Sequence, residues 1–161
     1  ALRKIITIWN LNNLKYSSLI WETSVISKRV MSWILNADII LKNSNFEFKR
    51  NFIESIVIQT NHLRKNFKHE INHQKKIEVI AVLALSGLVF KEYEENYEYS
   101  LKELEKLIKV FFDDKGFPVT RGPNDLLNHL KYFLLIKGVI KDAQKYVPDY
   151  LENIIEKNLE C

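Results

Sequence analysis

Lys75–Phe90 reads KKIEVIAVLALSGLVF, and this stretch decides the fold. Its apolar part, Ile77–Phe90, is interrupted by Glu78 and is too short to span a bilayer. It has no polar face of useful width. A helix that is apolar nearly all round is covered on most sides by other helices. Ala81, Ala84 and Gly87 recur at i, i+3 and i+6, where small side chains let a neighbour approach closely. The segment therefore predicts a buried central helix.

The flanking segments supply the cover. Upstream, Phe52/Ile53, Ile56, Thr60, Leu63 and Phe67 form one helical stripe, which fades within Lys68–Gln74. Before that, Thr23 or Ser24 is placed to cap a helix carrying Ile26, Val30, Trp33, Ala37 and Ile40/Leu41, with a turn at Asn43–Asn45. Leu2–Trp9 reads as the end of a helix broken by Asn10, Asn12 and Asn13, with a loop running to about Glu22. Downstream, Tyr97, Leu101, Leu104, Ile108 and Phe111 oppose Lys102, Glu103, Glu105, Lys106 and Lys109. Asp113–Pro123 then interrupts the helical pattern. Asn124 is placed as the N-cap of a helix with Leu127, Leu130, Phe133/Leu134 and Ile140 inward, and Pro148 suits N1 of a last helix, Asp149–Leu159. No strand alternation or hairpin signal appears. The prediction is an all-α fold of stacked antiparallel helical hairpins.

Composition agrees. The 161 residues include four glycines and three prolines, too few for a turn-dense β sandwich or a glycine-rich phosphate loop. Hydrophobic residues make up 47%, enough for a real core. The single cysteine, Cys161, excludes an intramolecular disulfide and a cysteine-based zinc cluster. The net charge is +4, with 19 lysines spread along the chain against five arginines. Spread lysine describes solvated helix faces first, and second a surface for a polyanion, either nucleic acid or acidic polysaccharide. Nucleic acid is not the expected partner. Richness in Ile, Lys and Asn is bacterial-like and leaves cytoplasm and periplasm equally open. The chain opens on Ala1 without a methionine, so a segment of a longer protein is expected.

Three features bear on chemistry. His69-Glu70-Ile71-Asn72-His73 matches H-E-x-x-H. On one continuous helix, His69 and His73 would share a zinc ion with Glu70 as general base. The charged flanks Lys68 and Gln74-Lys75-Lys76 suit a solvated interhelix turn instead. The second feature is the Asp113–Pro123 loop, which holds two of the glycines, two of the prolines and Arg121. Arg121 either caps a neighbouring helix end or binds a carboxylate or sulfate. The third is aromatic. Trp33 is expected in the core, while Trp21 is a hydrophobic staple or a platform for a sugar.

Two of these stretches together resemble a family. Trp21…Arg29-Val30-x-x-Trp33-Ile34 resembles the opening of the helical domain of heparinase II/III-like proteins. Asp114-Lys115-Gly116-Phe117-Pro118-Val119-Thr120-Arg121-Gly122-Pro123 resembles that family's D-G-G-H-x-x-R-[SN]-P segment. Gln59–Leu63 and Ala81–Leu88 fit its two central helices, so the resemblance runs from about Trp21 to Leu151. It implies part of an (α/α) toroid over residues 21–161, with residues 1–20 ending a preceding helix and loop, and a β domain beyond this chain as partner. It also implies a cleft for acidic polysaccharide cleaved by β-elimination: Asn neutralises the uronate carboxylate, Tyr or His takes the C5 proton, and Tyr protonates the leaving oxygen.

On that resemblance Asn72 and His73 carry over as catalytic candidates, and Arg121, Asp114 and Trp21 as substrate-binding candidates. No cofactor is implied; zinc belongs only to the H-E-x-x-H alternative. Three departures stand. Lys115 and Phe117 replace a glycine and a histidine of the motif, and the interval from Asn72 to Gly87 is longer than the family's. Asn124-Asp125 stands where lyases often carry Tyr-His. These departures suit a divergent branch, or a non-catalytic module that binds a glycan or a protein.

Overall fold

The computed structural model describes residues 1–160, so Cys161 lies outside the description. The described residues form eight α-helices and no strand. They are α1 (Leu2–Asn13), α2 (Thr23–Leu35), α3 (Ala37–Leu41), α4 (Phe46–Asn66), α5 (His73–Val89), α6 (Glu94–Phe111), α7 (Pro123–Asp142) and α8 (Asp149–Glu160). The all-α expectation therefore holds. The chain falls into two compact units, Ala1–Lys68 and His69–Cys161, where the sequence reads as one body from Trp21 onward.

In the first unit α1 runs through the asparagines expected to break it. Asn12 and Asn13 donate their side-chain amides to the carbonyls of Ile8 and Trp9, one turn back, so they follow the helix instead of ending it. The helix expected to start on Thr23 or Ser24 is capped by Glu22, whose Oε2 accepts from the Val25 N–H at 3.0 Å. It stops at Asn36, which separates α2 from the short α3. Arg3 of α1 then donates to the carbonyls of Ile40, Lys42 and Asn43, giving the last groups of α3 a cation to bond. Asn45 caps α4 through the Phe48 N–H at 2.8 Å. The unit's core gathers Ile26, Val30, Phe52, Ile56 and Leu63. Trp33 is only half-buried, edge-on to Trp9 at 5.4 Å and tilted against Phe52 at 5.7 Å.

In the second unit α5 is the central helix the sequence predicts. Every residue from Ile77 to Gly87 is buried, and α6 and α7 both pack on it. A Cβ at Gly87 would run into the Tyr97 backbone nitrogen and sit 2.8 Å from the Tyr97 Cβ. Only glycine permits so close a crossing of α5 and α6. The buried face of α7 is His129, Tyr132, Phe133, Ile136 and Ile140. Leu127 and Leu134, expected inward, are exposed. The predicted N-cap also moves: Pro123 is the first residue of α7 and Gly122 its cap, so Asn124 lies within the first turn.

The loop between α6 and α7 is built around Asp113. Its Oδ1 accepts from the N–H groups of Lys115 and Phe117, and Oδ2 pairs with Arg121 Nη2 at 2.8 Å. The Phe117 N–H most of all, with help from the Lys115 N–H and Arg121, holds this carboxyl below its usual range. Gly116 sits at φ 86°, and a Cβ there would meet the Lys157 Cβ of α8 at 2.6 Å. Asn158 Nδ2 donates to the Gly116 carbonyl, and Lys157 Nζ to the Asp114 carbonyl, each at 2.8 Å.

Candidate functional site

The first turn of α5 starts from Asn72. Its Oδ1 accepts from the N–H groups of Gln74 and Lys75 at 2.9 and 3.1 Å, and its own N–H donates to Glu70 Oε1 at 2.9 Å. This Asx cap ends the irregular segment 70–72 and sets His73 at the first helical position. His69 instead closes a one-turn 3-10 helix, Phe67–His69. His69 and His73 therefore do not share a helix face, and the continuous helix that the H-E-x-x-H zinc reading requires is not formed. Among the described residues no group of three His, Cys, Asp or Glu could hold a metal ion.

Capping leaves His73 lying flat on Phe111, the last residue of α6, with ring centroids 4.3 Å apart. His129 of α7 stacks on the same phenyl ring at 4.8 Å. Three helices thus meet through three rings. Burial lowers the pKa of both imidazoles, with Lys76 adding to the effect at His73. Both are neutral at neutral pH.

Asp125, in the first turn of α7, ties the remaining parts together. One oxygen accepts from Gln74 Nε2 of α5, and the other from Thr120 Oγ1 of the loop at 2.6 Å. The result is an open depression of about 310 Å³ lined by Asn72, His73, Gln74, Phe111, Thr120 and Asp125. Asn72 offers an amide Nδ2, since its Oδ1 is taken by the cap. His73 offers a neutral imidazole, and Asp125 a negative charge already bonded on both sides.

The sequence candidates separate in space. Asn72 and His73 line the depression. Arg121 and Asp114 do not. Arg121 is held by Asp113 and lies 5.5 Å from the Phe117 ring centroid. Asp114 is exposed, and the carboxylate that organises the loop belongs to its neighbour Asp113. Trp21 belongs to the first unit. It is 6% exposed, its indole N–H donates to the Asn13 carbonyl at 2.9 Å, and its ring meets His62 edge-on at 5.0 Å. Buried in this way, it has no open face for a sugar to stack on.

Gln74, Thr120, Asp125 and His129 were not expected at a site. His129 had a visible signal: it lies four residues before Phe133 and seven before Ile136, on the face those residues define. No protein-family model matches the chain, and neither does any curated protein or any solved structure.

Proposed function

We propose that this chain contributes one wall of a binding site for acidic, uronate-containing polysaccharide, as the helical domain of a heparinase II/III-like protein would. One observation carries the reading. Asn72-His73 and Thr120-Asp125 stand about 50 residues apart in sequence, yet line one depression. In β-elimination the C5 proton goes to a base, the C–H electrons form the C4–C5 double bond, and the C4–O bond breaks with a proton delivered to the leaving oxygen. The Asn72 amide can donate to the uronate carboxylate, and neutral His73 can accept the C5 proton. The tyrosine that would protonate the leaving oxygen has no counterpart at Asn124-Asp125. One wall by itself should be inactive, so the test is incubation of the full-length protein with uronate-containing polysaccharides, following the ultraviolet absorbance of unsaturated uronate. Asn72→Ala and His73→Ala abolish product formation on this reading; full activity in both variants refutes it.

A specific observation favours a second reading, a glycan-binding module without catalysis. The loop arginine is already paired with Asp113, and Asp125 sets a carboxylate in the wall. Calorimetric binding of oligosaccharides without any product would select this reading over the first.

A further inference from the structure

His129 is fully buried, and its two ring nitrogens are treated unequally. Nδ1 lies 2.7 Å from the Asp125 carbonyl, which can only accept, so Nδ1 carries the proton. Nε2 is then a bare lone pair, and it is buried without a hydrogen-bond partner. A second proton would create a cation whose new N–H has no acceptor, in a site built from rings. Phe111 stacks on one face at 4.8 Å, Phe112 meets the ring edge-on at 5.4 Å, and Phe133 lies at 6.2 Å. The charged groups acting on it are few. Asp125 on its own helix favours the cation, and His73 on α5 opposes it. From α6 and the residue after it come Phe111 and Phe112, which carry no charge.

We infer that the His73–Phe111–His129 stack is an acid-sensitive clasp: it holds the first turn of α5, the end of α6 and the first half of α7 together at neutral pH, and loosens when His129 takes up a second proton. His73, Phe111 and Asp125 are also walls of the depression, so loosening the clasp unmakes that site. The inference stands whatever ligand the depression takes.

The direction of the pH effect follows from burial, which outweighs Asp125 and lowers the His129 pKa. In the unfolded chain an imidazole titrates near about 6.5. Below that pH the unfolded state binds a proton that the folded state resists. The contribution is therefore complete above about pH 6.5 and is lost as pH falls toward the folded value. Desolvation is the source of the cost, since the buried cation's new N–H finds no acceptor in place of water.

The chain's four histidines make proton NMR a direct test on the full chain. The expected result is a His129 ring signal that titrates below its ordinary value, with the Phe111 ring signals shifting at the same midpoint. Titration of His129 at or above the ordinary value overturns the clasp, and so does titration with Phe111 unmoved. Thermal melts at about pH 7.5 and about pH 5 give a second reading. Acid lowers the Tm of the parent, and His129→Gln loses less on the same change. An undiminished acid loss in His129→Gln also overturns the clasp. Should that variant not fold, the NMR titration of the parent decides alone.

Discussion

In the first unit Arg29 lies over Trp9, 4.1 Å from the ring centroid, and all three guanidinium nitrogens end on acceptors. Nε donates to Gln59 Oε1 at 2.7 Å, and Nη1 and Nη2 both reach the Ile20 carbonyl at 3.3 Å. In the second unit His129 lies against Phe111 with one nitrogen bonded and the other on nothing. The difference follows from the chemistry of the two bases. Burial pulls Arg29 down to about 10, still far above neutral pH, so it keeps its charge and needs every acceptor it has. An imidazole sheds its charge when buried and can then tolerate a bare lone pair. The arginine cluster is indifferent to mild acid, whereas the histidine cluster depends on its absence.

The largest effect expected from probing this contrast comes from the packing beneath the histidine cluster. Gly87→Ala drives a methyl into the Tyr97 backbone and should destabilise the second unit by about 3 kcal/mol. Denaturant unfolding followed by far-UV circular dichroism measures it. Arg29→Met comes next, at about 2 kcal/mol, because the Ile20 carbonyl and Gln59 lose a charged donor. All three tryptophans belong to the first unit, so tryptophan fluorescence reads this loss directly. Gly138→Ala tests the opposite sign. Nothing lies within 4 Å of a Cβ there, and removing glycine from the interior of α7 should stabilise by about 0.5–1 kcal/mol in the same unfolding experiment. Smallest is Arg121→Ala. Its partner Asp113 keeps two backbone donors and Arg121 itself is solvent-exposed, so the melting curve should overlay the parent's.

Much of the helical layout was legible in the sequence, because burial imposes periodicity. α4, α5 and α6 follow their apolar spacing, and α5 was recognisable from its lack of any polar face. The sequence was less informative where polar side chains decide the outcome. Asn12 and Asn13 look like helix breakers, but their amides bond back into α1. Glu22 does the work expected of Thr23 or Ser24. On α7 two exposed leucines drew the predicted stripe away from the true buried face, where a histidine and a tyrosine replace aliphatic residues. Tyr132 there donates to the buried Glu78 of α5, and that burial and contact push its own pKa up to about 12. For the candidate site, Asn72 and His73 came forward as catalytic candidates only through the family resemblance, since the apolar period starts later, at Lys75, while α5 itself begins at His73 with Asn72 as its cap. Asp125 did not, since its role depends on bringing Gln74 and Thr120 together, which no local pattern encodes.

Gly116 gives the loop between α6 and α7 a mechanical meaning. The segment richest in turn residues would ordinarily be the part of the unit freest to swing. Its tip instead rests directly on Lys157 of α8, with no methyl between them, and Lys157 and Asn158 hold the carbonyls of Asp114 and Gly116. α8 is thus a backstop for the loop tip, and the tip is one turn from the Asp113–Arg121 pair.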